Sequence, residues 1–391
     1  MPTEPDLNRT LTDENVRKAA ASCLAELFPE EMAGYLADKE MVLDVLVLAA
    51  AKNTSLKGAC ESLGTVVTDD TIRNHLNASL AKPDIYSLNL AINKVLQADL
   101  PRRVRRGRWH IAIDLHDQPY YGHSAVVDKW VCRSQRKAGT GRILRIATAY
   151  VMHDGLRYTL AMKIVGPGQR LEDVVAWLIQ SVRRAGIGVR RYWLDRGFAS
   201  GAVVARLRAM RVSAIIACPL RGKIGGTRSL CRGYRTHGQW FTFQGQTGPW
   251  SAYVSAVRKL TKRRGKPRRW RWFLYIQVGT HIADDQIHAF YRRRFGIETS
   301  YRLMNQVRPR TTSRLPALRF LFMAVALILV NLWVSLCFRF CRTVRDGRDW
   351  FDFDRLRLRR FRDFLCHAVD RIHHAVFLIT VLDPALDPLT P

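Results

Sequence analysis

Acidic side chains are scarce in this chain. Asp and Glu number 33 against 63 Lys and Arg in 391 residues, a formal net charge of +30. A globular protein this basic suits a polyanion, or else simply carries a basic, ribosome-like surface. Nucleic acid fits better than membrane lipid, because the basic residues are spread along the chain and not gathered in one tail. The eight cysteines show no Cys-x2-Cys spacing, and Cys337 and Cys341 are four apart, as on one helix face. That excludes a disulfide framework and a zinc knuckle and fits reduced cytosolic usage. The opening "MPTEPDLNRTLTDENV" lacks the basic start and apolar core of a secretion signal. Long apolar runs are confined to residues 320–338, "FLFMAVALILVNLWVSLCF". Its length is near that of a spanning helix, but Asn331, Ser335 and Arg339 recur every fourth residue. A buried core helix accounts for it at least as well, and no membrane partner is expected.

Residues 13–98 read as helices. Within them Leu56, Ala59, Cys60 and Leu63 form one stripe, Gly64 ends that helix, and Thr68 with Asp69 and Asp70 opens another. The pattern is that of a helix-turn-helix, with Arg73, Asn74 and Asn77 as candidate DNA-reading residues, or of an ordinary helical hairpin. "LPRRVRRGR" at 100–108 reads as a basic linker able to lie on phosphates. Residues 109–217 give the order β, β, β, α, β, α, β, with a hairpin signal at "HDGL", which predicts a mixed sheet with helices on its faces. Residues 218–280 alternate polar and apolar and read as antiparallel β structure. They carry nine Lys or Arg in the fourteen positions 258–271, among them Arg263, Arg264, Arg268 and Arg269. Trp240, Trp250, Trp270 and Trp272 lie here too, suited to packing or to stacking on an unpaired base. Residues 284–305 return to helix, and another helix spans about 353–381.

The strands near 109–114 and 189–195 are both predicted to end in an aspartate, Asp114 and Asp195. If these strands are neighbours, the two carboxylates face each other in the crevice beyond the strand ends. Close carboxylates repel unless a cation lies between them, and hard Mg²⁺ or Mn²⁺ ions suit such a site. Glu298 supplies a third carboxylate. Tyr291, Arg294, Glu298 and Asn305 share one face if 284–305 is a single helix. The plainer readings are turn-forming aspartates and an ion pair of Glu298 with Arg294 and Arg302.

Three segments, "IAIDLHDQPYYG", "YWLDRGF" and "YRRRFGIETSYRLMN", resemble those of DDE transposases of the insertion-sequence-four group. The last matches that group's Tyr-x2-Arg-x3-Glu-x6-Lys signature at Tyr291, Arg294 and Glu298 and departs from it at Asn305, where the signature has Lys. The first is most similar to a branch described from halophilic archaea, although the +30 charge does not suit a salt-accumulating host. The resemblance covers about residues 105–340. It implies a mixed α/β, ribonuclease-H-like catalytic domain with flanking helices, in parts at 101–217 and 281–340. A basic β-rich insertion at 218–280 interrupts it, a helical DNA-binding domain at 1–100 precedes it, and a helical region at 341–391 follows. It further implies two Mg²⁺ (or Mn²⁺) ions on Asp114, Asp195 and Glu298. Backbone contacts would come from Tyr291, Arg294, Arg302 or Arg308, and Asn305. The implied partners are double-stranded DNA, as terminal inverted repeats and target, and a second copy of the chain in the DNA complex. The implied location is the cytoplasm, at the nucleoid. The rival readings are a metal-dependent nuclease on the same fold, an impaired DNA-binding remnant, and a membrane-associated basic protein.

Overall fold

The computed structural model describes residues 10–374, apart from 30–36, 65–66, 82–83, 124, 138, 154–155, 223–225, 246–247, 263–266, 293–295 and 346–347. Nine described strands form one mixed sheet: β1 (Arg108–Pro119), β2 (Cys132–Lys137), β3 (Thr140–His153), β4 (Leu156–Val165), β5 (Gly188–Leu194), β6 (Ala214–Cys218), β7 (His237–Gly245), β8 (Gly248–Thr261) and β9 (Arg269–Val278). The sheet runs β3–β1–β5–β6–β9–β8–β7, with β2 and β4 both pairing with β3. β1, β5 and β6 are parallel; the remaining pairings are antiparallel. This is the mixed α/β, ribonuclease-H-like arrangement expected. The strands of the 218–280 region extend the same sheet, because β9 pairs with β6 along Ala214↔Val278 to Cys218↔Leu274.

Ile111, Ala112 and Ile113 are fully buried because β1 is covered on both faces. Ile111, Ile113 and Leu194 join the large core shared with the helices Ile85–Ala98, Leu171–Arg184, Gly201–Ala209 and Pro316–Phe340. That cluster is continuous from Val16 to Val369, so the helices before residue 100 and after 340 share one core with the sheet. Trp193 and Ala112 belong to the opposite face, under Tyr291 and Tyr301.

The apolar run at 320–338 lies in the helix Pro316–Phe340, 25 residues long and apolar enough to cross a bilayer, yet 83% of its most apolar window is buried within the protein. Its polar stripe has a specific use. Asn331 donates from Nδ2 to the Thr159 carbonyl at 2.8 Å and accepts from the Thr159 amide at 2.8 Å. Asn89, Asn93 and Gln97, spaced by four on helix Ile85–Ala98, continue the pattern along β4. Asn93 meets both the Met162 amide and carbonyl, Asn89 the Ile164 amide, and Gln97 the Leu160 carbonyl. Side-chain amides thus pair with the edge of β4, where an open strand would otherwise invite association.

Candidate functional site

β1 does not end at Asp114, as its sequence suggests. On the β3 side its ladder continues through Asp114↔Thr148 to Pro119↔Ile143. On the β5 side it stops at Ile113↔Leu194. Asp114 and Asp195 therefore each follow the last registered pair of two adjacent parallel strands, about 4.8 Å apart. By strand alternation both fall on the Ala112 and Trp193 face. Both residues are partly buried. The Asp114 carboxylate accepts from the Leu115 amide at 2.9 Å.

Asp117 lies in the same strand and points the other way. It forms a forked pair with its cross-strand neighbour Arg145, at 2.7 Å to Nε and 3.0 Å to Nη2. The Asp117 carboxylate raises the Arg145 pKa further, so Asp117 is committed to a strand-to-strand ion pair.

The expected helix over 284–305 is described as two pieces, Ile287–Arg292 and Gly296–Gln306, so the single shared stripe is not what the described residues present. Tyr291, on the first piece, is 3% exposed and donates to the Leu194 carbonyl at 3.0 Å. It docks its helix beside Asp195 against Trp193 and is buried too deeply to face DNA from this position. On the second piece Tyr301 bonds to Thr148, hydroxyl to hydroxyl, at 2.7 Å, and Thr148 lies directly opposite Asp114. His116 stacks on Tyr301 with centroids 4.4 Å apart. Burial, with the positive charge of Arg308 second, pushes the His116 pKa down to about 4. Glu298 lies one turn before Tyr301 on this helix; its side chain is outside the described set. Arg302 and Asn305 are exposed.

Asn53 fixes the far end of that helix. It sits in the left-handed region (φ 53°) at the C-terminus of helix Lys39–Lys52. Its Nδ2 donates to the carbonyls of Asn305 (2.8 Å) and Arg308 (2.9 Å), and its Oδ1 accepts from Arg310 at 2.9 Å. The Arg310 amide donates to the Thr54 carbonyl at 2.8 Å. Asn53, Thr148 and Tyr301 were not singled out from the sequence. A signal existed for Asn53, since Asn directly after a helical run is a common left-handed terminator, and for Tyr301, three residues beyond Glu298. The partners of Asn53, 252 to 257 residues further along the chain, left no local trace.

The described carboxylates suit a hard cation, because two oxygen donors at adjacent strand ends repel without one. Among the described residues no three His, Cys, Asp or Glu side chains gather as a metal cage. The other candidates are spread around the molecule. Helices Leu56–Leu63 and Asp69–Ala81 form the expected pair, with Gly64 at φ 60° between them. Arg73 is tied to Asp69 and Asp70 on its own helix, whereas Asn74 is exposed. Asn77 is partly buried. Arg268 and Arg269 are exposed; Arg263, Arg264 and Arg294 lie outside the described residues. Of the tryptophans, Trp250 stacks on Phe243 at 4.0 Å and Trp272 meets His237 edge-on. Trp240 and Trp270 are 68% and 57% exposed, and the Arg258 guanidinium lies 4.6 Å from the Trp270 ring centre.

Residues 105–332 match the family described as Transposase DDE domain. No curated protein sequence matches the chain. Among solved structures, it is similar to a piggyBac transposase seen by cryo-EM in a synaptic complex with hairpin DNA. The TM-score is 0.57 at 11% identity, over 93% of this chain and 79% of that one.

Proposed function

This chain belongs to the transposase DDE domain family, and on that premise we propose that it cuts the ends of an insertion sequence and joins the freed 3′-hydroxyls to target DNA. The observation that carries the reading is the registered pair Ile113↔Leu194, after which Asp114 and Asp195 emerge side by side. The Tyr301 helix docks on the residue opposite Asp114. Asp114, Asp195 and Glu298 would hold two Mg²⁺ or Mn²⁺ ions. Such ions lower the pKa of an attacking water or 3′-hydroxyl and stabilise the leaving oxygen.

The protein's own groups position the DNA. Arg302 and Asn305 project from the exposed side of the Glu298 helix and take backbone phosphates, with Asn305 offering an amide where the insertion-sequence-four signature has a cation. Arg268 and Arg269, where β9 begins, hold duplex backbone together with Arg263 and Arg264 of the same basic run. Arg294 contacts backbone beside Glu298, and the 1–100 helices recognise the terminal inverted repeats through Asn74 and Arg73. Membership of the insertion-sequence-four group, its halophile-type branch, the division into domains, a homodimer in the DNA complex and a cytoplasmic, nucleoid-associated location belong to the same proposal.

The test is a plasmid carrying the DNA that flanks the gene, incubated with the chain and Mg²⁺. Excision and joining to a second plasmid, both lost in Asp195→Ala, are the expected result. Cutting without joined product would identify a nuclease. DNA binding without cutting would identify an impaired remnant.

A further inference from the structure

The two ends of the large sheet are finished differently. On β4 the outward peptide groups are met by Asn89, Asn93, Gln97 and Asn331. At the other end lies β7, which among the described residues pairs with β8 alone. Every residue from His237 to Gly245 pairs with β8 in one unbroken register, Trp240 opposite Tyr253 and Gly245 opposite Gly248. In an antiparallel pair alternate residues turn their N–H and C=O away from the partner strand, so β7 offers a row of peptide groups on its far side. Among the described residues no backbone group pairs with that side and no side chain caps it. Gln239, Trp240, Thr242, Gln244 and Gly245 are exposed, Trp240 by 68%.

An open edge strand usually carries a charge, a proline or a bulge that blocks pairing with another chain. β7 has none of the three. Residues 236–257, which hold β7 and most of β8, are the longest run in the chain without Lys, Arg, Asp or Glu, 22 residues against 19 at 320–338. The 320–338 run avoids charge because it lies in the core, whereas β7 lies at the surface, where a charge stays solvated. The chain carries +30, so a second copy is repelled from most of its surface. This uncharged edge is where two copies meet with least repulsion. The flanks set the direction. Arg232 and Arg235 precede the strand, whereas residues 244–251 at and past its end are uncharged. A parallel pairing would lay the arginines of one copy beside those of the other. An antiparallel pairing lays them beside the uncharged end.

We propose that β7 is a dimerisation edge, pairing antiparallel with β7 of a second copy about a two-fold axis at Phe241. The outward residues alternate along the strand, so outward meets outward when the paired residue numbers sum to an even value. The register centred on Phe241 meets that condition and uses all nine residues of the strand. It sets Trp240 directly across from Thr242 of the second copy on one face, so each exposed indole packs over the seam. Such a pairing is isologous. It joins the two sheets edge to edge with both aspartate pairs opening on one side, the two Asp195 positions roughly 40 Å apart across the intervening strands. The seam needs no DNA and stands apart from the reading above.

The test is sedimentation velocity of the full chain after nuclease treatment, over a concentration series and a salt series. The wild type should form a dimer that tightens as salt rises, because salt screens the repulsion between two cationic bodies while the seam itself is uncharged. Association held by residual nucleic acid would loosen with salt instead. Trp240→Lys with Thr242→Lys sets like charges across the seam twice and should weaken dimerisation by about tenfold or more. Trp240→Glu with Thr242→Glu should weaken it too, although it lowers the net charge. Trp240→Lys with Thr242→Glu leaves the net charge unchanged, sets opposite charges at the same two places, and should recover most of the loss. Melting temperatures of the three variants in dilute solution should agree, which separates a lost seam from a lost fold. A wild type that stays monomeric throughout, or a dimer that loosens with salt, overturns the proposal. So does a Lys–Glu variant that dimerises no better than the two like-charge variants. A chain that dimerises in this way yet neither cuts nor joins DNA would remove the transposition reading and leave the seam standing.

Discussion

Replacing Asp117 and replacing Asp114 should have opposite consequences, although the two lie three residues apart in one motif. Asp117 is half of a forked ion pair whose side chains are 22% and 26% exposed. A charge-assisted hydrogen bond contributes about 1.5–3 kcal/mol net. Asp117→Ala also leaves Arg145 beside Arg133 and Arg142, which line the same cavity. The expected loss is about 2 kcal/mol, or about 2–3 °C in melting temperature for a chain of this length. Cleavage per folded molecule should be unchanged, because Asp117 points away from the Asp114 face. Asp114→Ala should leave the melting temperature near that of the wild type, keep DNA binding, and abolish Mg²⁺-dependent cleavage. The assay is a melting curve for each variant beside cleavage of a labelled end at saturating Mg²⁺. A dead Asp117→Ala with an active Asp114→Ala would refute the assignment and the strand-register reasoning behind it.

Asn53→Gly keeps the left-handed backbone without strain but removes the side-chain hydrogen bonds to the Asn305 and Arg308 carbonyls and to the Arg310 guanidinium, worth about 1 kcal/mol each. Amide exchange across Gly296–Gln306 should quicken by roughly tenfold or more and cleavage slow, with end binding kept; unchanged exchange would show that the clamp does not hold the helix. His116 has a folded pKa of about 4, below its unfolded value of about 6.5. The stability it contributes is complete above pH 6.5 and is lost as pH falls from there toward 4. A melting-temperature series over that window should show the decline, and His116→Phe, which keeps the stack on Tyr301, should flatten it. Asn305→Lys places a charge on an exposed helix position, so it should fold normally and tighten binding to cleaved ends by about 1 kcal/mol at low salt. No gain at low salt would show that Asn305 does not face the DNA.

Much of this protein was legible along the chain because the signals are local. Alternation and apolar runs marked the strands, Gly64 and Asp69 marked a helix end and start, and the charge ratio marked a polyanion partner. The aspartates after two apolar runs stood out for the same reason. Other features depended on which strands become neighbours. β1 was expected to stop at Asp114, and only pairing separates its two edges, one ending at Ile113 and the other running on to Pro119. Tyr291 looked like a surface residue of a helical stripe, yet a carbonyl on β5 receives its hydroxyl. The 320–338 run had the composition of a membrane span, and the partner of Asn331, an edge-strand peptide 172 residues away, makes it a core helix. Periodicity reports which face of an element is apolar, because that depends on residues a few positions apart. It carries no record of what the face meets, because long-range hydrogen bonds and register are chosen by the whole packed chain.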